Sequence, residues 1–247
     1  MNPPVWLIYP AILLFFILIF AREVLAPASR NHCDKRWLIL AGSLNLLQAG
    51  SALLVGWLFR EKLPHWAWFH LPEQIPAPLA GLLAFLITSF LFYWWHRALH
   101  QSDFLWRTVH QLHHSPQRLE ALSAFYAHPL DSAGATLLSC FSAYIVLGSG
   151  VECAAWATLY SGLFNLYVHS DTRSPRWLGW IIQRPEMHRI HHRFGHHAQN
   201  YGLPLWDWMF GTLDNPIEEG AYPQLGFRSD QAERITEMLL GKDVSSG

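Results

Sequence analysis

Three long runs of apolar side chains constrain this chain more than any other feature. Residues 5–21 read VWLIYPAILLFFILIFA with no charged side chain. Residues 37–59 carry only Asn45 and Gln48 as strongly polar interruptions, and residues 76–95 end in the aromatic sequence FYWW. Each run has about the 17–25 residues that a helix needs to cross a bilayer. Backbone N–H and C=O groups in hydrocarbon must satisfy one another, so each run is predicted to be helical. A further pair, residues 132–147 and 151–168, is separated only by Gly-Ser-Gly at 148–150. It is predicted to be a helical hairpin whose first member falls short of a full crossing. A water-soluble bundle would have to place its first run without a single charge before Arg22. The expected fold is all-α: a polytopic membrane bundle of four to five hydrophobic helices in one domain, residues 1–247.

Charge sets the expected orientation. Charged residues make up 14% of the chain, against roughly 25% in a soluble domain. A net charge of −1 gives no electrostatic case for nucleic acid. Residues 1–4 lack the positive lead of a signal peptide. The loop after the first run holds Arg22, Arg30, Lys35 and Arg36, whereas the loop after the second holds only Arg60 and Lys62. By the positive-inside rule the first loop is cytoplasmic and the N-terminus is outside. Residues 96–131, and everything from His169 onward, then share the cytoplasmic side. Cys33, Cys140 and Cys153 form no paired pattern, which argues against a disulfide framework or a cysteine zinc site.

Fifteen histidines nearly equal the 17 lysines and arginines, and they are grouped. His96 and His100 (HRALH) close the third apolar run, followed by His110, His113 and His114 (HQLHH). His169 ends the hairpin; His188, His191 and His192 (HRIHH) come next, then His196 and His197. Residues three or four apart share a helix face, so each box can aim several imidazoles one way. Imidazole suits iron, copper, nickel or zinc, and one ion takes only three or four such ligands. Eight box histidines plus His169 exceed one site, so a dinuclear centre is expected. His32, His65, His70 and His128 stand alone and read as surface or hydrogen-bonded residues.

The boxes HRALH, HQLHH and HRIHH, interleaved with apolar spans and followed by NYGLPLWDWMFGT at 200–212, resemble the fatty acid hydroxylase/sterol desaturase superfamily. The resemblance covers residues 96–212, within a family-like core of 76–215 and ahead of a polar tail, 216–247, with one amphipathic helix near 229–240. It implies a cytoplasmic histidine-rich helical cap holding two non-haem iron ions (Fe2+/Fe3+), with O2 as co-substrate. The implied activity is hydroxylation, or less readily desaturation, of a lipid such as a sterol, acyl chain or carotenoid. The implied ligands are His96, His100, His110, His113, His114, His169, His188, His191 and His192. Some members carry one more histidine, at the position held here by Arg173. No haem, ferredoxin or nucleotide motif is present, so electrons are expected from a separate ferredoxin or cytochrome with its reductase. The compact chain suggests the inner membrane of a bacterium.

Ligating imidazoles usually donate their second N–H to a carboxylate, carbonyl or water. Asp103, Glu120, Asp131, Asp171, Glu186 and Asp207 are candidates for that shell, with Asp171 and Asp207 ranked first and His197 a possible further member. Arg173, Arg176, Arg184, Arg189 and Arg193 crowd the third box, where they could dock an acidic carrier or an anionic headgroup, or simply mark topology. Two other functions compete. A zinc hydrolase lacks support because no HExxH supplies a general base. A metal transporter would carry its ligands within the spans, whereas these boxes lie at and beyond span ends.

Overall fold

The computed structural model describes residues 5–29, 35–59, 66–72, 74–195, 198–217 and 223–245. Three long helices come first: α1 (Ile8–Leu25), α2 (Lys35–Phe59) and α3 (Ala77–Gln101). A π-helical turn, Trp106–His110, leads into the short α4 (Gln111–His114). Helix α5 (Pro129–Cys140) continues as π turns over Phe141–Val146, and α6 (Val151–His169) follows. Four short helices complete the chain: α7 (Pro185–His191), α8 (Pro204–Met209), α9 (Ser229–Ala232) and α10 (Ile235–Leu239). No strand occurs among the described residues.

Of these, α1, α2 and α3 are long and apolar enough to cross a membrane. Only 11%, 17% and 28% of their apolar windows are buried within the protein. Leu14, Leu18, Leu46, Trp57, Leu79 and Leu82 all face outward, a surface that suits lipid rather than water. The expected fourth and fifth crossings are not supplied in the same way. The α-helical part of α5 spans only 12 residues before it widens into π turns. Helix α6 dilutes its apolar run with Thr158, Tyr160, Ser161 and Asn165.

Helix α3 packs chiefly along α6, α1 also lies on α6, and α2 packs on α5. Gly81 permits the first contact: a methyl group there would meet the Trp156 Cβ at 2.2 Å. Gly148 closes the hairpin at φ +57°, a left-handed conformation that glycine adopts without strain, with the Phe69 carbonyl where a Cβ would sit. The end of the preceding π turns and Leu147 give up carbonyls that accept from Trp68, Phe69 and Leu71.

At one end of the bundle the remaining elements form a buried cap. Glu23, at the close of α1, accepts the backbone N–H groups of Ala121 and Asp171, at 3.0 and 2.7 Å. The final segment packs back into this cap. The expected single helix over 229–240 is two short helices, and Phe227, Met238 and Val244 are buried with Leu112, Leu122 and Tyr126. The Gln111 amide fastens this tail by donating to the Lys242 carbonyl and accepting from Val244 N–H.

Candidate metal centre

Two of the long helices deliver ligating segments directly. His96 and His100 lie one turn apart at the cap end of α3, and His169 is the last residue of α6. The wide π turn ends on His110, so the short α4 that follows presents His113 and His114 from a rotated register; π turns often serve such sites. Proline at the first position of α7 sets a seven-residue helix carrying His188 and His191, with His192 at its cap.

All nine expected histidines come together, in two adjoining groups. Ring nitrogens of His96, His100, His110, His114 and His191 lie within 4.8 Å of one another, and those of His113, His169, His188 and His192 do the same. Each adjacent pair is divided. His114 joins the first group and His113 the second; His191 joins the first and His192 the second. The groups touch where the His114 and His192 rings stack at 4.1 Å. Every ring is buried except that of His100, which is partly so.

The hydrogen bonds fix several tautomers. A carbonyl can only accept, so a ring nitrogen bonded to one must carry the proton. The Nδ1–H groups of His96 and His191 donate to the Tyr201 and Gln199 carbonyls at 2.7 and 2.9 Å. Their Nε2 atoms, both left with bare lone pairs, face each other at 3.0 Å. The same holds in the second group: His113 and His169 donate to the Tyr126 and Asn165 carbonyls, and their Nε2 atoms lie 3.1 Å apart. Two acceptors at hydrogen-bond distance repel unless a cation lies between them. Protons do not fill that role well. Burial, then the neighbouring imidazoles, pushes His113 down to about 4 and holds His114, His188, His191 and His192 well below the usual range. Neutral, convergent imidazoles fit metal ions.

Most of the outer partners are backbone carbonyls, which no sequence pattern marks. Gln199 and Asn200 adopt positive φ, 73° and 52°, conformations costing about 1–3 kcal/mol each that persist only when their surroundings enforce them. Buried Asn200 does so by donating to the Met187 and Asp214 carbonyls and accepting from Asp214 N–H. The turn thereby aims the Gln199 and Tyr201 carbonyls at His191 and His96.

The carboxylate that reaches a ligand ring is Asp131, 2.7 Å from His110 Nδ1. The two acids ranked first act at one remove. Asp171 pairs with Arg189 on α7 and accepts from Ser29, and so braces the third box rather than a ring. Asp207 accepts from the N–H groups of Tyr201 and Gly202 and from the Thr212 hydroxyl, and so holds the loop that serves His96. Glu120 accepts from Trp37, and Glu186 from Ser174; Asp103 is exposed. His197 lies outside the described residues. His128 caps α5, its Nδ1 accepting from Leu130 N–H. Among the arginines, Arg184 and Arg189 are buried and already bonded, Arg184 to Ser174 and Asn215, so neither is offered to a docking partner.

Residues 81–212 match the fatty acid hydroxylase family, and the chain belongs to that family. It is 27% identical to the alkylglycerol monooxygenase of Caenorhabditis elegans over 71% of this chain and 35% of that protein. It is 32% identical to the ornithine lipid hydroxylase OlsE of Rhizobium tropici over 59% of this chain and 45% of that protein. It is also 30% identical to a putative Delta(7)-sterol-C5(6)-desaturase of Arabidopsis thaliana over 70% and 61%. The chain thus spans between about a third and three fifths of the length of these relatives. No solved structure matches it.

Proposed function

We propose that this chain is a membrane-bound non-haem diiron oxygenase that hydroxylates a lipid, or desaturates one, using O2 and electrons delivered by a separate protein. One observation carries the reading: two adjoining sets of buried imidazole lone pairs converge at the end of the membrane-length helix α3 in a member of the fatty acid hydroxylase family. Imidazole alone would accommodate iron, copper, nickel or zinc; the family favours iron.

The first ion would be held by His96, His100, His110, His114 and His191, and the second by His113, His169, His188 and His192. Iron bound there would supply oxygen activation, the hard step that no side chain performs. The protein's own residues do the rest. The carbonyls of Tyr201, Gln199, Tyr126 and Asn165 fix the ring tautomers, and Asp131 makes His110 the more basic ligand. Burial of the rings would keep bulk water from the metal site. The relatives' names span alkylglycerol, an ornithine lipid and sterols, so the proposed substrate is a lipid whose apolar part enters from the bilayer. The charge bias of the loops favours a cytoplasmic cap, where a ferredoxin or cytochrome could reach it.

Metal analysis with Mössbauer spectroscopy tests the reading. About two coupled irons per chain, lost in His191→Ala, is the expected result; O2-dependent oxidation of a lipid by the iron-loaded chain with a reductant would follow. One zinc per chain, with no iron retained after anaerobic loading, would sink it.

A further inference from the structure

The stretch after the third histidine box does not read as a water-exposed part of the cap. Between Arg176 and Arg184 there is no charged residue, and from Tyr201 to Leu213 there is only Asp207, which is fully buried. The 3-10 turn Arg176–Trp180 and α8 pack together. Between them they leave Trp177, Trp180, Ile181, Leu205, Trp208 and Met209 exposed, each at 50–70%. By contrast, residues 228–243 carry charge throughout.

The position of α8 on α3 explains this composition. The Trp206 indole N–H donates to the Ser89 hydroxyl at 2.9 Å, and Phe90 packs edge-on against the Trp206 ring. Phe210 stacks on Tyr93 and meets Trp94. Trp94 and Trp95 end the apolar run of α3 just before His96 and Arg97, the level at which aromatic residues mark a membrane boundary. Ser89 lies five residues deeper, about 8 Å along a helix that rises about 1.5 Å per residue. Interfacial helices bury their apolar face to about 5–10 Å. The Ser89 bond is also what an indole N–H needs where water is scarce.

We propose that residues 176–182 and 203–210 form a second membrane-contacting element, lying in the lipid interface against α3, with the bilayer itself as the partner. The element is continuous with the lipid-facing surface of α3, and its one acid, Asp207, is turned inward onto the loop that orients His96. The dimetal cap is thereby set at a fixed depth in the membrane, independently of the substrate it oxidises.

Full-length chains in a Cys33→Ser background, with Trp208→Cys, Leu205→Cys or Trp177→Cys, would be labelled with an environment-sensitive fluorophore in phosphatidylcholine vesicles. Leu82→Cys on α3 and Arg234→Cys, at the cap before α10, serve as lipid and water references. The expected result is quenching at 205, 208 and 177 by nitroxides near the lipid headgroup and upper acyl chain, with little quenching by aqueous iodide. Iodide quenching equal to that at 234, with 82 still quenched by lipid nitroxide, would overturn the proposal while leaving α3 a span. Iodide quenching at 82 as well would overturn both. Protection from both quenchers, with disulfide crosslinking between Trp208→Cys chains, would overturn it in favour of a second copy.

Discussion

Behind the His110 ring stands the Asp131 carboxylate. Asp131→Ala is expected to lower iron affinity about 10- to 100-fold, read as iron retained after dialysis against a chelator. Asp131→Asn keeps an acceptor for His110 Nδ1 and is expected to fall between the two. The buried imidazoles also fix a pH dependence for the metal-free chain. His113 titrates near 6.5 when unfolded but is held down to about 4 in the fold, chiefly by burial. Between those values the unfolded chain binds more protons, so stability is full above pH 6.5 and is lost on acidification toward pH 4. His114, His188, His191 and His192 act with the same sign. The unfolding temperature of metal-free protein should therefore fall between pH 7.5 and pH 5; a flat profile would contradict the burial described. The histidines were legible in the sequence because doublets at helical spacing are a local signal. The division of each doublet between two groups was not, since it depends on how α4 and α7 are rotated against α3 and α6. Asp131 was one acid among six candidates, and the carbonyls of Tyr126, Asn165, Gln199 and Tyr201 have no sequence signature at all.

Among the helices, α1 and α6 do more than anchor. Two N–H groups, one just after the second box and one just after His169, end on the Glu23 carboxylate. Glu23→Ala leaves them buried without an acceptor, at roughly 1–3 kcal/mol. The expected outcome is a lower unfolding temperature in detergent together with reduced iron retention. Gly81→Ala drives a methyl group into Trp156 and, at 3.1 Å, against the backbone of Cys153 and Ala157. Overpacking of this kind costs about 1–3 kcal/mol. Because α3 carries His96 and α6 carries His169, prising them apart should cost iron as well as stability, whereas Gly42→Ala, with nothing within 4 Å, should cost neither. The apolar runs predicted α1, α2 and α3 well, since hydropathy over such lengths needs no tertiary information. The break between α9 and α10 was missed because the burial of Met238 and Val244 is decided by partners more than a hundred residues away.

At the scale of the whole molecule, the two proposed ions would tie the bundle to the cap, since their ligands come from both. Removing metal leaves the facing lone pairs of His96 with His191 and of His113 with His169. Since only the folded chain offers converged ligands, added Fe2+ should raise the unfolding temperature in a concentration-dependent way; no shift would argue against a folded-state metal site. The division of HQLHH and HRIHH has one more consequence. Since α4 and α7 each donate to both groups, seating one of the two proposed ions would fix the rotation of the helices that receive the other. On that reading the cap would behave as a coincidence detector, filling both places together instead of accumulating chains with one.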